Sequence, residues 1–336
     1  MNKNFKNTVA VLAILFCISP IGILQAKTIK IATISPEGTF WMEQMRAGAN
    51  EIEEKTQGRV KFKFYPGGVM GSDENVLRKI RIGQLHGGAI TIGNLSQLTP
   101  DTTIYGFPLI FSSLEEAAEI RKTTDPMLSK QIEEDGFVNF GFAQGGFSYL
   151  MSKQAIHRAD DLKNLKSWVP ENSDVGLSVF RHIGATPITL PMSDVLTALQ
   201  TDLIDTVIIS PIGALALQWH THINYVTDAP INYLVAMMVI DKKEFSTISE
   251  TDQQIIRDIM TKVYVTIDKQ NMVDNIAARE AMIKQGIKFI KLDDGEKDKW
   301  LDIRRSVIGE MTAKYKYHKD FYNAVLVNMP DSLKMH

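Results

Sequence analysis

Residues 197–211 read TALQTDLIDTVIISP, a polar, leucine-bearing helical turn that passes into an almost unbroken apolar run closed by Ser210 and Pro211. The β-branched trio Val207, Ile208 and Ile209 is what a central strand covered on both faces needs, and Asp205 stands at the loop junction before it. A helix feeding a buried strand is the repeating unit of an α/β protein. Ligands of open α/β sheets gather at the carboxyl ends of such strands, so Ser210 marks a place to look for chemistry. Taken alone, the residues fit a plain core strand as well.

Working outward, the same alternation recurs. Ser193 is placed to cap a helix over 194–200 that delivers the stretch, and Leu165 to Pro170 and Gly184 to Thr189 flank a helix through Val179 and Phe180. Earlier, residues 27–34 alternate as a strand. Phe40, Met45, Ala49 and Ile52 follow on one helical face, and Val60, Phe62 and Phe64 alternate again. Ser72 is placed to cap a helix carrying Val76, Leu77 and Ile80, ahead of a strand over 89–92. Phe107 to Phe111 is an apolar patch assigned to the core, 115–134 a charged surface helix, and 136–143 a strand. A second lobe is expected from about Gly145. Ser249, with Asp252 three residues on, opens a helical pattern that runs to Gly286. That helix would be on the order of 50 Å long at about 1.5 Å per residue, long enough to lie across two lobes.

The 336 residues, 44% of them hydrophobic, suffice for two lobes of ordinary size. A net charge of −2 with no basic block or acidic tail favours neither nucleic acid nor an anionic membrane surface, which leaves small molecules as partners. Lys3 and Lys6 precede an apolar segment from Val9 to Leu24, broken by Pro20 and Gly22, that reads as a secretory signal peptide cleaved after Ala26. The lone cysteine, Cys17, falls inside it, so the mature chain is expected to hold no disulfide and no thiol chemistry.

Motifs for catalysis are missing. Gly67, Gly68 and Gly71 lack the lysine of a phosphate loop and the placement of a dinucleotide fingerprint, and no serine sits in a nucleophile elbow. His220 and His222 flank Thr221 without a third ligand nearby, too little for a metal. The expectation is a binding protein with no cofactor and no metal, not an enzyme.

Several segments carry a family resemblance. They are Ser35 to Gly38 after the opening strand, Glu54 to Val60, Tyr65 to Gly71, Phe107 to Leu109, Asp160 to Lys166, Ile183 to Pro187, and Thr197 to Asp205. In this order the chain resembles the DctP-like periplasmic solute-binding proteins of tripartite ATP-independent periplasmic (TRAP) transporters. The resemblance implies an α/β, two-lobe periplasmic binding protein fold with an inter-lobe cleft, crossing strands and a long helix spanning both lobes. It also implies a monomer that closes by a hinge on a small organic ligand and delivers it to the membrane permease subunits of an ion-coupled transporter. After a signal peptide over 1–26, lobe I is expected over 27–147 with 235–275, and lobe II over 148–234 with 276–330.

The departures from the family pattern bear on the ligand. The family usually places a carboxylate-clamping arginine two residues after Lys166, where this chain has Trp168. A second arginine is common just after the Gly145 region, where Phe147, Ser148 and Tyr149 stand instead. Val207 to Ile209 and then Ser210 replace a polar run ending in asparagine. Arg46, Arg78, Arg81 and Arg181 are the nearest replacement cations, each read as lying on a solvated helix face. The expected ligand is therefore neutral or largely apolar. Trp168, Phe147, Tyr149 and Trp219 are candidate stacking groups, Ile209 and Ser148 further lining, and Ser210, Asn94 and Glu74 candidate polar contacts. Alternatives are an organic acid held by a different cation, a sensory receptor presenting the same lobes to a membrane kinase, and a secreted enzyme.

Overall fold

The computed structural model describes residues 26–326; residues 1–25, which hold most of the expected signal peptide, and residues 327–336 lie outside it. The chain opens as β1 (Lys27–Thr33), α1 (Phe40–Lys55), β2 (Val60–Tyr65), α2 (Asp73–Arg81) and β3 (Gly87–Thr91). Two 3-10 turns, Ile92–Leu95 and Pro100–Gly106, lead to α3 (Leu114–Glu134), β4 (Phe137–Asn139) and β5 (Ala143–Ser152). There follow β6 (Trp168–Pro170), α4 (Asp174–Ile183), β7 (Ile188–Leu190), α5 (Val195–Gln200), β8 (Thr206–Ile209), α6 (Pro211–Ala216) and β9 (Tyr225–Thr227). The chain then returns through β10 (Asn232–Asp241), α7 (Lys242–Phe245), α8 (Glu250–Lys284), β11 (Lys288–Ile290), α9 (Glu296–Lys314) and α10 (Lys319–Leu326).

One mixed sheet runs through both lobes in the order β11-β9-β5-β10-β3-β1-β2, with β4 added to β10 and β8 to β5. The crossing strands are β5 and β10, ten residues each and antiparallel. Residues Ala143 to Ser148 of β5 pair with β10, whereas Tyr149 to Ser152 pair with β8. The register shifts at Leu234/Val235, opposite Gly145 and Gly146. Gly146 has φ +82°, and a Cβ there would stand 2.5 Å from Asn275 Nδ2, so both conformation and space require glycine.

The decisive stretch forms the expected strand but is not covered on both faces as a central strand would be: Val207 and Ile209, on one face of β8, are 0% and 4% exposed, whereas Ile208 on the other face is half-buried, and β8 joins the sheet through β5. Asp205 caps the strand entrance by accepting from the backbone N–H of Lys166 at 2.9 Å. Ser193, by contrast, makes no cap: Met192–Asp194 is a 3-10 turn, α5 starts at Val195, and the Ser193 hydroxyl donates to Asp194. The expected strand over 136–143 is two strands, because Gly141 at φ +98° breaks the extended run between β4 and β5. The Phe107–Phe111 patch packs into the core, with Phe107, Ile110 and Phe111 buried.

α3 is more than a surface helix. Its Arg121 is 5% exposed and donates to Asp125, to Asp268 of α8, to the Tyr233 hydroxyl of β10 and to the Phe142 carbonyl. The 35-residue α8, capped by Ser249, lies along β5. It is fixed there by Asn271, whose amide donates to the Gln144 carbonyl at 2.7 Å, and Asn275, which donates to the Gly145 carbonyl at 3.0 Å.

Candidate functional site

A cavity of about 860 Å³ opens between the lobes. It is lined by the β1–α1 turn, with Phe40 and Trp41 at the start of α1, and by the end of β3 with Asn94 just beyond it. β6, the N-terminal half of α4 and the β8–α6 junction also line it. The crossing strand β10 and the face of α8 bearing Asn271, Asp274, Ala278 and Ala281 form the remaining wall. The small side chains on α8 leave room that leucines at the same spacing would fill.

Of the residues singled out from the sequence, Trp168, Ile209, Ser210 and Asn94 line this cavity. Trp168 is 1% exposed, its indole N–H donates to the Leu190 carbonyl at 2.9 Å, and its ring meets Trp219 edge-on at 5.2 Å. Trp219 thus supports Trp168 from behind and borders a smaller neighbouring pocket instead. Ser210 caps α6 by accepting from the Gly213 N–H, and Asn94 donates to Asp73 at 2.9 Å.

Phe147, Ser148 and Tyr149 do not line the cavity. Phe147 packs edge-on to Tyr233 of β10, 5.6 Å between ring centroids. Ser148 is fully buried opposite Asn232 with its hydroxyl unpartnered, and Tyr149 pairs with Ile209 across β5 and β8. Glu74 is not among the lining residues; it accepts from the amide of Asn172, which is, at 2.7 Å, a contact between α2 and the loop after β6. Asn172 holds φ +58°, a left-handed conformation that asparagine tolerates. Glu74→Ala is expected to remove this latch. An exposed hydrogen bond contributes about 1 kcal/mol, so ligand dissociation constants should rise about fivefold by calorimetry with melting temperature nearly unchanged.

The charged groups are all of one sign. No lysine, arginine or histidine stands among the described lining residues, while Glu171, Asp174 and Asp274 do. Asp174 is compensated by Lys314 at 2.5 Å and by the Tyr315 hydroxyl. Glu171 and Asp274 have no ion pair among the described residues, and Asp274 accepts only from Gln270 at 2.8 Å. Arg46 pairs with Glu37, Arg181 with Glu310, and Arg78 donates to Asn75, so none of these arginines turns inward. Arg81 does not line the cavity either, and His220 is bonded to the Ala214 carbonyl.

Sequence reasoning missed Asn232 and Asn271, two lining residues whose side-chain oxygens are buried without a partner, and also Glu171, Asp274, Phe40 and Trp41. The available signal was on α8, where Asn271 and Asn275 interrupt an apolar stripe at i, i+4 spacing.

Behind Thr91 and Asn94, Asp73 accepts from both at 3.0 and 2.9 Å through one oxygen, while the other is buried without a partner. Burial pushes its pKa up to about 6. The native state therefore binds this proton more tightly than the unfolded chain. The associated stability is complete below about pH 4 and is lost as pH rises through about 6, an effect of about 3 kcal/mol. Asp73→Asn is expected to remove that component, seen as a difference between the urea-derived stability curves of the two proteins from pH 4 to 7.

These features agree with what comparison shows. The model of the DctP family, bacterial extracellular solute-binding protein family 7, matches residues 31–315, and the chain belongs to that family. A solute-binding protein of Chromohalobacter salexigens is 22% identical over 303 residues, covering 87% of this chain and 89% of the relative. The match to the 2,3-diketo-L-gulonate-binding periplasmic protein of Escherichia coli is 26% identical and spans about half of each chain, 46% and 47%. Among solved structures, a TRAP periplasmic solute-binding protein from Haemophilus influenzae with bound L-gulonate superposes with TM-score 0.82 at 18% identity, covering 90% of this chain and 99% of that one. A sugar acid binding protein from Advenella mimigardefordensis in complex with galactonate gives 0.82 at 19% identity, covering 90% and 97%. The fold is that of a two-lobe periplasmic binding protein, and the chain is a solute-binding receptor.

Proposed function

We propose that this receptor closes on a ligand that is not a simple dicarboxylate and delivers it to the permease subunits of a TRAP-type transporter, after export directed by residues 1–26. The lobes are taken as 27–147 with 235–275 and 148–234 with 276–330, closing about Gly145 and Gly146. The observation that carries the ligand reading is the absence of any cation from the described cavity lining, with Trp168 at the family's clamp position. A carboxylate buried without a partner costs several kcal/mol. Each like charge about 8 Å away adds about 2 kcal/mol at an effective dielectric constant of about 20. Sugar acids suit the relatives' cavities; the walls here, built from Ile34, Ile90, Val179, Leu217 and Leu234, suit an apolar body.

A thermal-shift screen of acids, alcohols, amines and lipophilic compounds tests this. A ligand present at about one hundred times its dissociation constant adds about 2.7 kcal/mol of stability. Succinate and fumarate are expected to give no shift, and apolar-bodied compounds to give one. Micromolar succinate binding that survives in Trp168→Ala would overturn the reading.

A further inference from the structure

We infer that the ligand carries a positively charged amine on its apolar body, with Glu171 and Asp274 as the counter-charges; this rests on the receptor reading above. Three observations carry it. First, these two lining carboxylates have no ion-pair partner among the described residues, whereas the third, Asp174, is neutralised by Lys314. Carboxylates enclosed by lobe closure lose water, and a ligand cation is what compensates them. Second, the unsatisfied side-chain groups of the lining are acceptors. Asn271 is 1% exposed, and its amide N–H is committed to the Gln144 carbonyl, which leaves its Oδ1 buried and unpartnered; Asn232 Oδ1 is in the same state. An ammonium donates N–H bonds where a carboxylate could only repel. Third, Phe40 and Trp41 line the cavity, and aromatic faces attract cations.

The test uses three probes matched in body, 4-phenylbutylamine, 4-phenylbutanol and 4-phenylbutyrate, titrated calorimetrically into the protein and into its Glu171→Gln/Asp274→Asn variant. The amine is expected to bind about tenfold more tightly than the alcohol, and the carboxylate about tenfold more weakly. In the variant the amine and alcohol should agree to within about twofold, and added salt should weaken only the amine in the parent. Equal binding of all three probes, preference for the carboxylate, an amine advantage that survives in the variant, or no binding of any probe at millimolar concentration would each overturn the inference. The receptor reading has its own separate failure, tight succinate binding independent of Trp168, so the two outcomes are distinguishable.

Discussion

Arg121→Met is expected to lower the stability of the protein by about 3–5 kcal/mol, the cost of removing one partner from a buried ionic network. The guanidinium is 5% exposed and donates at 3.0 Å to Asp125 Oδ2, at 2.8 Å to Asp268 Oδ1, at 3.1 Å to the Tyr233 hydroxyl and at 3.2 Å to the Phe142 carbonyl. Methionine matches much of the length but supplies no donor, so two carboxylates lose their counter-ion and a buried hydroxyl and carbonyl lose a partner. The network also reaches the crossing strands. Asp268 accepts from the Gln144 N–H at 2.8 Å, next to the Gly145–Gly146 irregularity. Urea unfolding should show a lower midpoint with an unchanged slope, which marks a change in stability and not in compactness. Adding Asp125→Asn to the variant should recover part of the loss, because the stranded charge is then gone. A loss below about 1 kcal/mol would mean that the network breaks even against its own desolvation.

The legible parts of the sequence were those where periodicity reports burial directly. Val207 and Ile209 and the long helix after Ser249 declare which face packs inward, and they pack there; the Phe107–Phe111 patch follows no clear period and declared only its apolarity, which the burial of Phe107, Ile110 and Phe111 matches. Side-chain direction on the crossing strand was not legible. An irregularity of the pairing at Gly145 and Gly146 changes which residues of β5 share a face, and Phe147 consequently meets Tyr233. Trp219 illustrates a second limit, since a buried tryptophan behind a lining tryptophan has the same sequence signature as one in the lining. Asn271 and Asp274 illustrate a third: polar positions on a long helix read as a solvated face, and only the tertiary arrangement reveals that this face looks into a cleft.

Trp168→Ala is expected to be the most damaging single change in the cavity wall, at about 3–5 kcal/mol of stability for a buried tryptophan. The loss has distinct sources. The Leu190 carbonyl loses its indole donor at 2.9 Å, and Trp219 loses the ring it meets at 5.2 Å and 83°. The wall it stands in is the short β6–β7 ladder, where Trp168 pairs with Ile188 and Pro170 with Leu190, so little backbone hydrogen bonding holds it otherwise. Trp168→Phe keeps an aromatic ring beside Trp219 and loses only the N–H, an expected cost of about 1 kcal/mol. The pair therefore separates structural support from ligand contact. For an apolar ligand found by the screen, alanine should raise the dissociation constant about tenfold or more, since the removed surface contributes at about 25 cal/mol per Å². Phenylalanine should stay within about threefold. Equal weakening by both variants would instead implicate the indole N–H, and with it the Leu190 carbonyl, in setting the position of the wall. The family's arginine at this position would have no carboxylate in the cavity to neutralise it except Glu171 or Asp274, since Asp174 is already occupied by Lys314. An aromatic at the clamp position and two lining carboxylates without an ion pair among the described residues thus both fit the ligand charge inferred above.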